Sequence, residues 1–146
     1  MFVPIYRSHG QFPFREPWNI SPEETDTYKI IKKCLELRYR LMPYIYSLGA
    51  EVYFNDYTIM RPLVMDFGNE DKNVLNIGYQ YMFGPYIMVN PIYVYKARKR
   101  EVYFPKNNIW YDFYTGKIES LGGEIKNVEA PYEHIPIYIR SEVLFL

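Results

Sequence analysis

From Tyr28 to Leu48 apolar residues recur at spacings of three and four, at Tyr28, Ile31, Cys34, Leu35, Leu37, Leu41, Met42, Ile45 and Leu48, and Pro43 falls inside the run. The spacing predicts a helix with one broad apolar stripe. Proline has no amide hydrogen to give to the carbonyl one turn back, so the helix must kink or divide, with its two pieces meeting between Leu41 and Tyr44. Just upstream, Ser21-Pro22-Glu23-Glu24 has the form of a helix start: Ser as cap, Pro at the first helical position, Glu24 reaching back to close a capping box.

On either side of this helix the pattern changes. An apolar β-branched run over Phe2 to Ile5 leads into Arg7-Ser8-His9-Gly10, which predicts a strand over 2–7 that delivers polar side chains to its C-terminal rim. Gln11 to Trp18 holds two prolines and reads as a loop over that rim. After a turn at Asn55-Asp56, Thr58 to Met65 reads as a second strand, Gly68 to Asn76 as loop, and Gly78 to Phe83 as a short helical stretch stopped by Gly84-Pro85. Beyond Pro85 come short apolar or alternating runs at 86–94, 101–104, 109–114 and 135–139. Turns at Pro105-Lys106-Asn107-Asn108, Thr115-Gly116-Lys117 and Leu121-Gly122-Gly123 separate several of them, which indicates a β-sandwich or part of one. The domain boundary is therefore expected near residue 86.

Charge and composition exclude several classes. Seventeen basic and 17 acidic residues cancel, and the densest basic stretch, Lys96 to Arg100, runs straight into a strand, so nucleic acid is not an expected partner. The apolar runs fall short of the roughly 20 residues a bilayer span requires. Met1 to Arg7 lacks the basic start and apolar middle of a secretory signal, and the compartment stays unassigned. Cys34 is the single cysteine, placed among helical apolar positions, so neither a disulfide framework nor a zinc site is expected. Tyrosine is in excess, with 17 copies, which suits half-buried strands and sugar-stacking platforms alike.

Five stretches together resemble glycoside hydrolase family 31, the retaining α-glucosidases and α-xylosidases. They are Phe2 to Gly10 with Arg15-Glu16-Pro17-Trp18; Arg38 to Leu48; Met60-Arg61-Pro62-Leu63; Gln80 to Pro85; and Val102 to Pro105 with Trp110 to Lys117, Ala130-Pro131 and Ile135-Pro136-Ile137. The resemblance implies an α+β fragment in which residues 1–85 form the last strands and helices of a (β/α)8 TIM barrel and 86–146 the proximal, antiparallel C-terminal β-sandwich. It implies hydrolysis of terminal α-linked glucose or xylose from oligosaccharides or glycosides with retention, and no metal or organic cofactor. Retaining glycosidases need two carboxylates about 5 Å apart. In the family both are aspartates upstream of the Arg-Ser-His-Gly motif, so the expectation is that most of the enzyme lies upstream of Met1 and that this chain alone is inactive. The absent barrel portion is also expected to be needed for folding.

On that reading His9 binds hydroxyls of the sugar being cleaved, since a neutral imidazole donates from one nitrogen and accepts at the other. Taken by itself, a His in such a turn is more often structural. Arg7 either orients a pocket carboxylate or binds loop carbonyls beneath the rim, and a supporting role is preferred. Trp18, near Arg15 and Glu16, either stacks on a sugar at the pocket mouth or pins its loop to the barrel. Arg61, on a strand expected to be covered on both faces, requires an acidic partner or several carbonyls. His134 reads as a surface or strand-edge residue of the sandwich. Asp66, Asp112 and Glu16 match no catalytic position of the family. Past Arg140 the chain departs from the family's spelling, with Glu142 putting the pairing of a final strand in question. The rival readings are a non-catalytic carbohydrate-binding or interaction module, and an inactive truncated gene product.

Overall fold

Pro43 ends one helix and starts another in the computed structural model, which describes residues 1–141. α1 spans Pro17–Ile20, α2 Asp26–Arg40 and α3 Met42–Asn55. Leu41 bridges the last two: its amide donates to the Leu37 carbonyl at 3.0 Å, while its own carbonyl accepts from Ile45 at 2.9 Å. The division thus falls where the missing amide of Pro43 would have interrupted the ladder. These helices belong to the first of two compact units, Met1 to Tyr57; the second begins at Thr58.

Two local expectations fail in the first unit. No strand forms over 2–7. A strand needs a partner for its backbone groups, and here the carbonyls of Met1, Val3 and Pro4 instead accept from the Arg38 guanidinium at 2.7, 2.7 and 3.0 Å. The cap of α2 is Thr25, not Ser21: its Oγ1 accepts from the Tyr28 amide at 3.2 Å. Ser21 is already the C-cap of α1, and its hydroxyl meets that of Thr25 at 2.7 Å, which leaves Pro22 to Glu24 as a turn outside the helix. The predicted apolar stripe is the less exposed side of α2 and α3: Leu48 is buried, Tyr28, Ile31, Cys34, Leu35, Leu37, Leu41 and Ile45 are partly buried, and Met42 is exposed. Phe2, Pro17 and Leu48 are the buried residues of this unit, and Tyr46 and Tyr53 on α3 are each 81% exposed.

The second unit holds eight strands among the described residues: β1 Met60–Pro62, β2 Tyr81–Phe83, β3 Ile87–Val89, β4 Lys99–Phe104, β5 Trp110–Asp112, β6 Ile118–Ser120, β7 Glu124–Glu129 and β8 Ile137–Arg140. One sheet has the order β1-β2-β3-β8-β5-β6, the other pairs β4 with β7, and every pairing is antiparallel. α4 (Leu63–Phe67) and a short 3-10 helix (Lys72–Asn76) lie between β1 and β2. The two sheets share one core. Met82, Met88, Trp110 and Tyr138 come from the first sheet, Val102, Phe104 and Val128 from the second, with Leu63 and Phe67 added by α4. Phe104 sits edge-on to Tyr138 at 4.7 Å and tilted against Trp110 at 6.4 Å, so aromatic rings fill the space between the layers. Trp110, Phe83 and Phe104 are fully buried, and each such side chain stabilises the fold by about 2–3 kcal/mol. The architecture is α+β, with the antiparallel sheets packed as a β-sandwich.

The stretch 78–83, expected as helix, contains a strand instead. β2 is held on both sides, Met82 opposite Arg61 of β1 and Met88 of β3, and a six-residue piece is too short to nucleate a helix against two ready partners. Gln80 adds a side-chain tie to the other sheet, donating to the Tyr103 carbonyl at 2.9 Å and accepting from its amide at 2.8 Å. The strand expected over 58–65 stops at Pro62, after which α4 begins, and β1 is an edge strand with Met60 and Pro62 exposed. Strands β6 and β7 carry too many charged and polar residues for the apolar pattern to mark them. The question about the pairing of Glu142 lies outside the described residues.

Candidate functional site

The polar tetrad after Tyr6 forms an exposed loop in the first unit. Arg7 Nη2 lies 2.8 Å from Nδ1 of His9. A guanidinium has donors only, so Nδ1 accepts and the ring proton belongs on Nε2. Arg7 thereby selects one tautomer of the imidazole and leaves an N–H on its far side. Ser8 Oγ donates to the Arg15 carbonyl, and a Cβ on Gly10 would stand 2.6 Å from Arg15 Cγ, so the side chain and carbonyl of Arg15 hold the loop closed. The Phe12-Pro13 peptide within this loop is cis.

α1 begins at Pro17, which is buried, while Trp18 is 60% exposed. Glu16 precedes this helix, and its carboxylate accepts from Asn19 at 2.9 Å. Among the described residues no hydrogen bond or ring contact joins Trp18 to Arg7 or His9. The structure thus brings Arg7 and His9 together and places Arg15 beneath them.

The acids are engaged elsewhere. Asp66 Oδ1 accepts from Arg61 Nε at 2.7 Å, which supplies the acidic partner that Arg61 was expected to need. Asp112 Oδ1 accepts from the Tyr114 amide, the Thr115 amide and the Thr115 hydroxyl at 3.1, 2.7 and 2.7 Å, closing the turn into Gly116. His134 stacks on Tyr114, ring centroids 4.3 Å apart, and is half-buried. No cluster of three or more His, Cys, Asp or Glu side chains able to hold a metal ion occurs among the described residues. Among them, too, no helix is long and apolar enough to cross a membrane.

Sequence reasoning passed over three polar residues. Arg38 carries the N-terminal carbonyls described above. Asp71, inside a stretch that reads as charged loop, is 1% exposed and accepts from Tyr103, Lys106 and Asn73. Arg100 is set against Tyr79 and Tyr93 at 5.3 and 5.6 Å from the ring centroids. No local signal marks Asp71 or Arg100, because their partners lie across turns and strands.

Comparison with known proteins agrees with the order of these elements. Residues 1–48 match the glycosyl hydrolases family 31 TIM-barrel domain, and residues 56–144 match the glycosyl hydrolase family 31 C-terminal domain. An α-xylosidase of Saccharolobus solfataricus is 46% identical over 96% of this chain, and alpha-glucosidase 2 of Bacillus thermoamyloliquefaciens is 34% identical, also over 96%. The chain spans only 18% and 17% of the length of these two relatives. The crystal structure of a family 31 α-xylosidase from Xanthomonas citri superposes with a TM-score of 0.91 at 45% identity, covering 97% of this chain and 15% of that one. Both domain matches and close relatives along nearly its whole length place the chain in one family: it belongs to glycosyl hydrolase family 31.

Proposed function

We propose that these residues are part of a retaining α-glycosidase that removes terminal α-linked xylose or glucose from oligosaccharides or glycosides, and that they supply a sugar-binding imidazole, His9, rather than the catalytic carboxylates. The observation that carries this reading is the Arg7–His9 contact, 2.8 Å long, which fixes the imidazole as an Nε2 donor on an exposed loop. The engagement of Asp66 with Arg61, Asp112 with its turn and Glu16 with Asn19 supports assigning the nucleophile and the acid/base to other residues of a family-length protein. Arg7 acts as the positioning residue for His9, and Trp18, exposed on α1, belongs to the rim of the pocket.

The same reading proposes that residues 1–85 complete the barrel and that the sandwich proper starts at 86. The turn at Gly84, φ +67°, and the absence of α-helix after it among the described residues support that boundary, although β1 and β2 join the same sheet as β3, Leu63, Phe67 and Met82 share its core, and the compact units divide earlier, after Tyr57. Chromogenic α-xyloside and α-glucoside are the test of function. The 146-residue chain alone should give no turnover, and turnover should appear when an upstream segment carrying the two carboxylates is added. Turnover by the chain alone would overturn the assignment.

A further inference from the structure

Beside β4 in the second unit lies a cleft of about 390 Å³ whose walls include Tyr79, Tyr93, Arg100 and Glu101. That volume lies at the small end of ligand-sized clefts, about 300–1,000 Å³. The two tyrosine rings are 6.0 Å apart and inclined by 40°. Neither phenol hydroxyl has a hydrogen-bond partner among the described residues, and Tyr93 is 66% exposed. The pair is held in place by Arg100. Its guanidinium donates to the Tyr79 and Pro91 carbonyls and to that of Glu101, and so ties together the segments that carry both rings.

With Arg100 spent on carbonyls and Lys99 paired to Glu129 at 2.8 Å, the cleft offers no unpaired cation to a phosphate or carboxylate. What it offers is two aromatic rings, each with Arg100 against one side, two phenol hydroxyls and the carboxylate of Glu101, which makes no hydrogen bond or ion pair among the described residues. Flat apolar faces bordered by neutral and anionic acceptors match a pyranose ring, whose C–H face stacks while its hydroxyls donate. The inclination of the rings selects further. A chain that turns between successive sugars keeps one ring on each tyrosine, whereas a straight chain lies flat on only one.

We propose that the Tyr79–Tyr93 cleft is a second carbohydrate site, separate from the His9 loop, which binds an α-linked oligosaccharide by stacking on the two rings with Glu101 accepting from hydroxyls. It does not depend on the catalytic reading, since it uses no residue of the Arg7 to Gly10 loop.

The test is a titration of the 146-residue chain, carrying ¹³C-labelled tyrosine, with maltotriose and, separately, with the β-linked cellotriose, followed by NMR. Saturable shifts of the Tyr79 and Tyr93 rings are expected with maltotriose, and binding several-fold weaker with cellotriose. Tyr93→Ala should weaken maltotriose binding at least tenfold and Glu101→Gln several-fold, while Tyr95→Ala should leave it unchanged and show that the fold survives substitution in the same loop. Equal binding of the two sugars, no shift at either ring, or full affinity in Tyr93→Ala would overturn the proposal. His9→Ala should leave the titration as it is. Loss of these shifts in His9→Ala would place the sugar on the other loop, ending this proposal without touching the proposed role of His9.

Discussion

Tyr103 donates its hydroxyl to Oδ2 of Asp71 at 2.5 Å, joining strand β4 to a turn 32 residues earlier in the chain. Burial alone would push the Asp71 carboxyl up, but the hydrogen bond from Tyr103, the amides of Lys106 and Asn73 and the Lys106 charge together outweigh it and hold the carboxyl below its ordinary value. A folded-state pKa below the unfolded one means that this stabilisation is complete above the unfolded value of about 4 and is lost as pH falls through the folded value. Tyr103 is raised, by burial first and then by the bond to Asp71, so its contribution is complete below about 10 and is lost as pH rises. Tyr103→Phe should destabilise the second unit by about 2 kcal/mol at neutral pH and flatten the acid limb of the stability curve. Urea unfolding at a series of pH values would check both, and an unchanged acid limb would show that the bond does not matter to stability.

Arg61 and Asp66 meet at 2.7 Å with both side chains more than four-fifths buried. Breaking this largely buried pair removes a charge-assisted hydrogen bond, so Arg61→Met and Asp66→Asn should each cost about 2–3 kcal/mol. The double variant should lose less than the two single losses added together. Additive losses in a double-mutant cycle by thermal unfolding would show that the pair is not coupled.

Gly122 and Gly116 both have positive φ, +82° and +69°, yet their surroundings differ. A Cβ on Gly122 would stand 2.6 Å from the Pro105 carbonyl oxygen and 2.8 Å from that of Asn108, whereas nothing lies within 4 Å of one on Gly116. Gly116→Ala should therefore lose only the conformational term, about 1–2 kcal/mol. Gly122→Ala should lose clearly more, because backbone must move as well. Chemical denaturation of the two variants gives the ranking, and equal losses would mean that the turn at Gly122 relaxes freely.

If His9 binds substrate as proposed, His9→Ala in a family-length protein containing this segment should lower kcat/KM by roughly 10- to 100-fold, the loss of one or two hydrogen bonds to sugar. Arg7→Ala should have a smaller effect and leave the imidazole free to change tautomer. Steady-state kinetics on an α-xyloside and an α-glucoside separate the two, and wild-type values for His9→Ala would remove the residue from the site.

The proposed boundary at residue 86 is open to limited proteolysis of the whole chain. First cleavage beside Gly84-Pro85 would favour it. First cleavage near Asp56, where an exposed left-handed residue with φ 51° ends α3, would favour the division between the compact units.

The parts legible in the sequence follow from single residues and their immediate neighbours. Pro43 divides α2 from α3 because a missing amide is a covalent fact that no environment restores. Gly116 and Gly122 mark turns because only a residue without Cβ adopts those angles cheaply. The apolar runs locate β3, β4, β5 and β8 of the sandwich, and the order of motifs carries the family. Tertiary structure decided what depends on distant partners. Tyr81 to Phe83 became strand because β1 and β3 were there to pair with it; residues 2–7 have no strand beside them among the described residues, and Arg38 took the carbonyls of Val3 and Pro4. Asp71 and Arg100 acquired their surroundings from residues on other elements. Local stereochemistry acts within a turn or two of the chain, whereas backbone pairing and the burial of charge are settled by whatever the fold brings alongside.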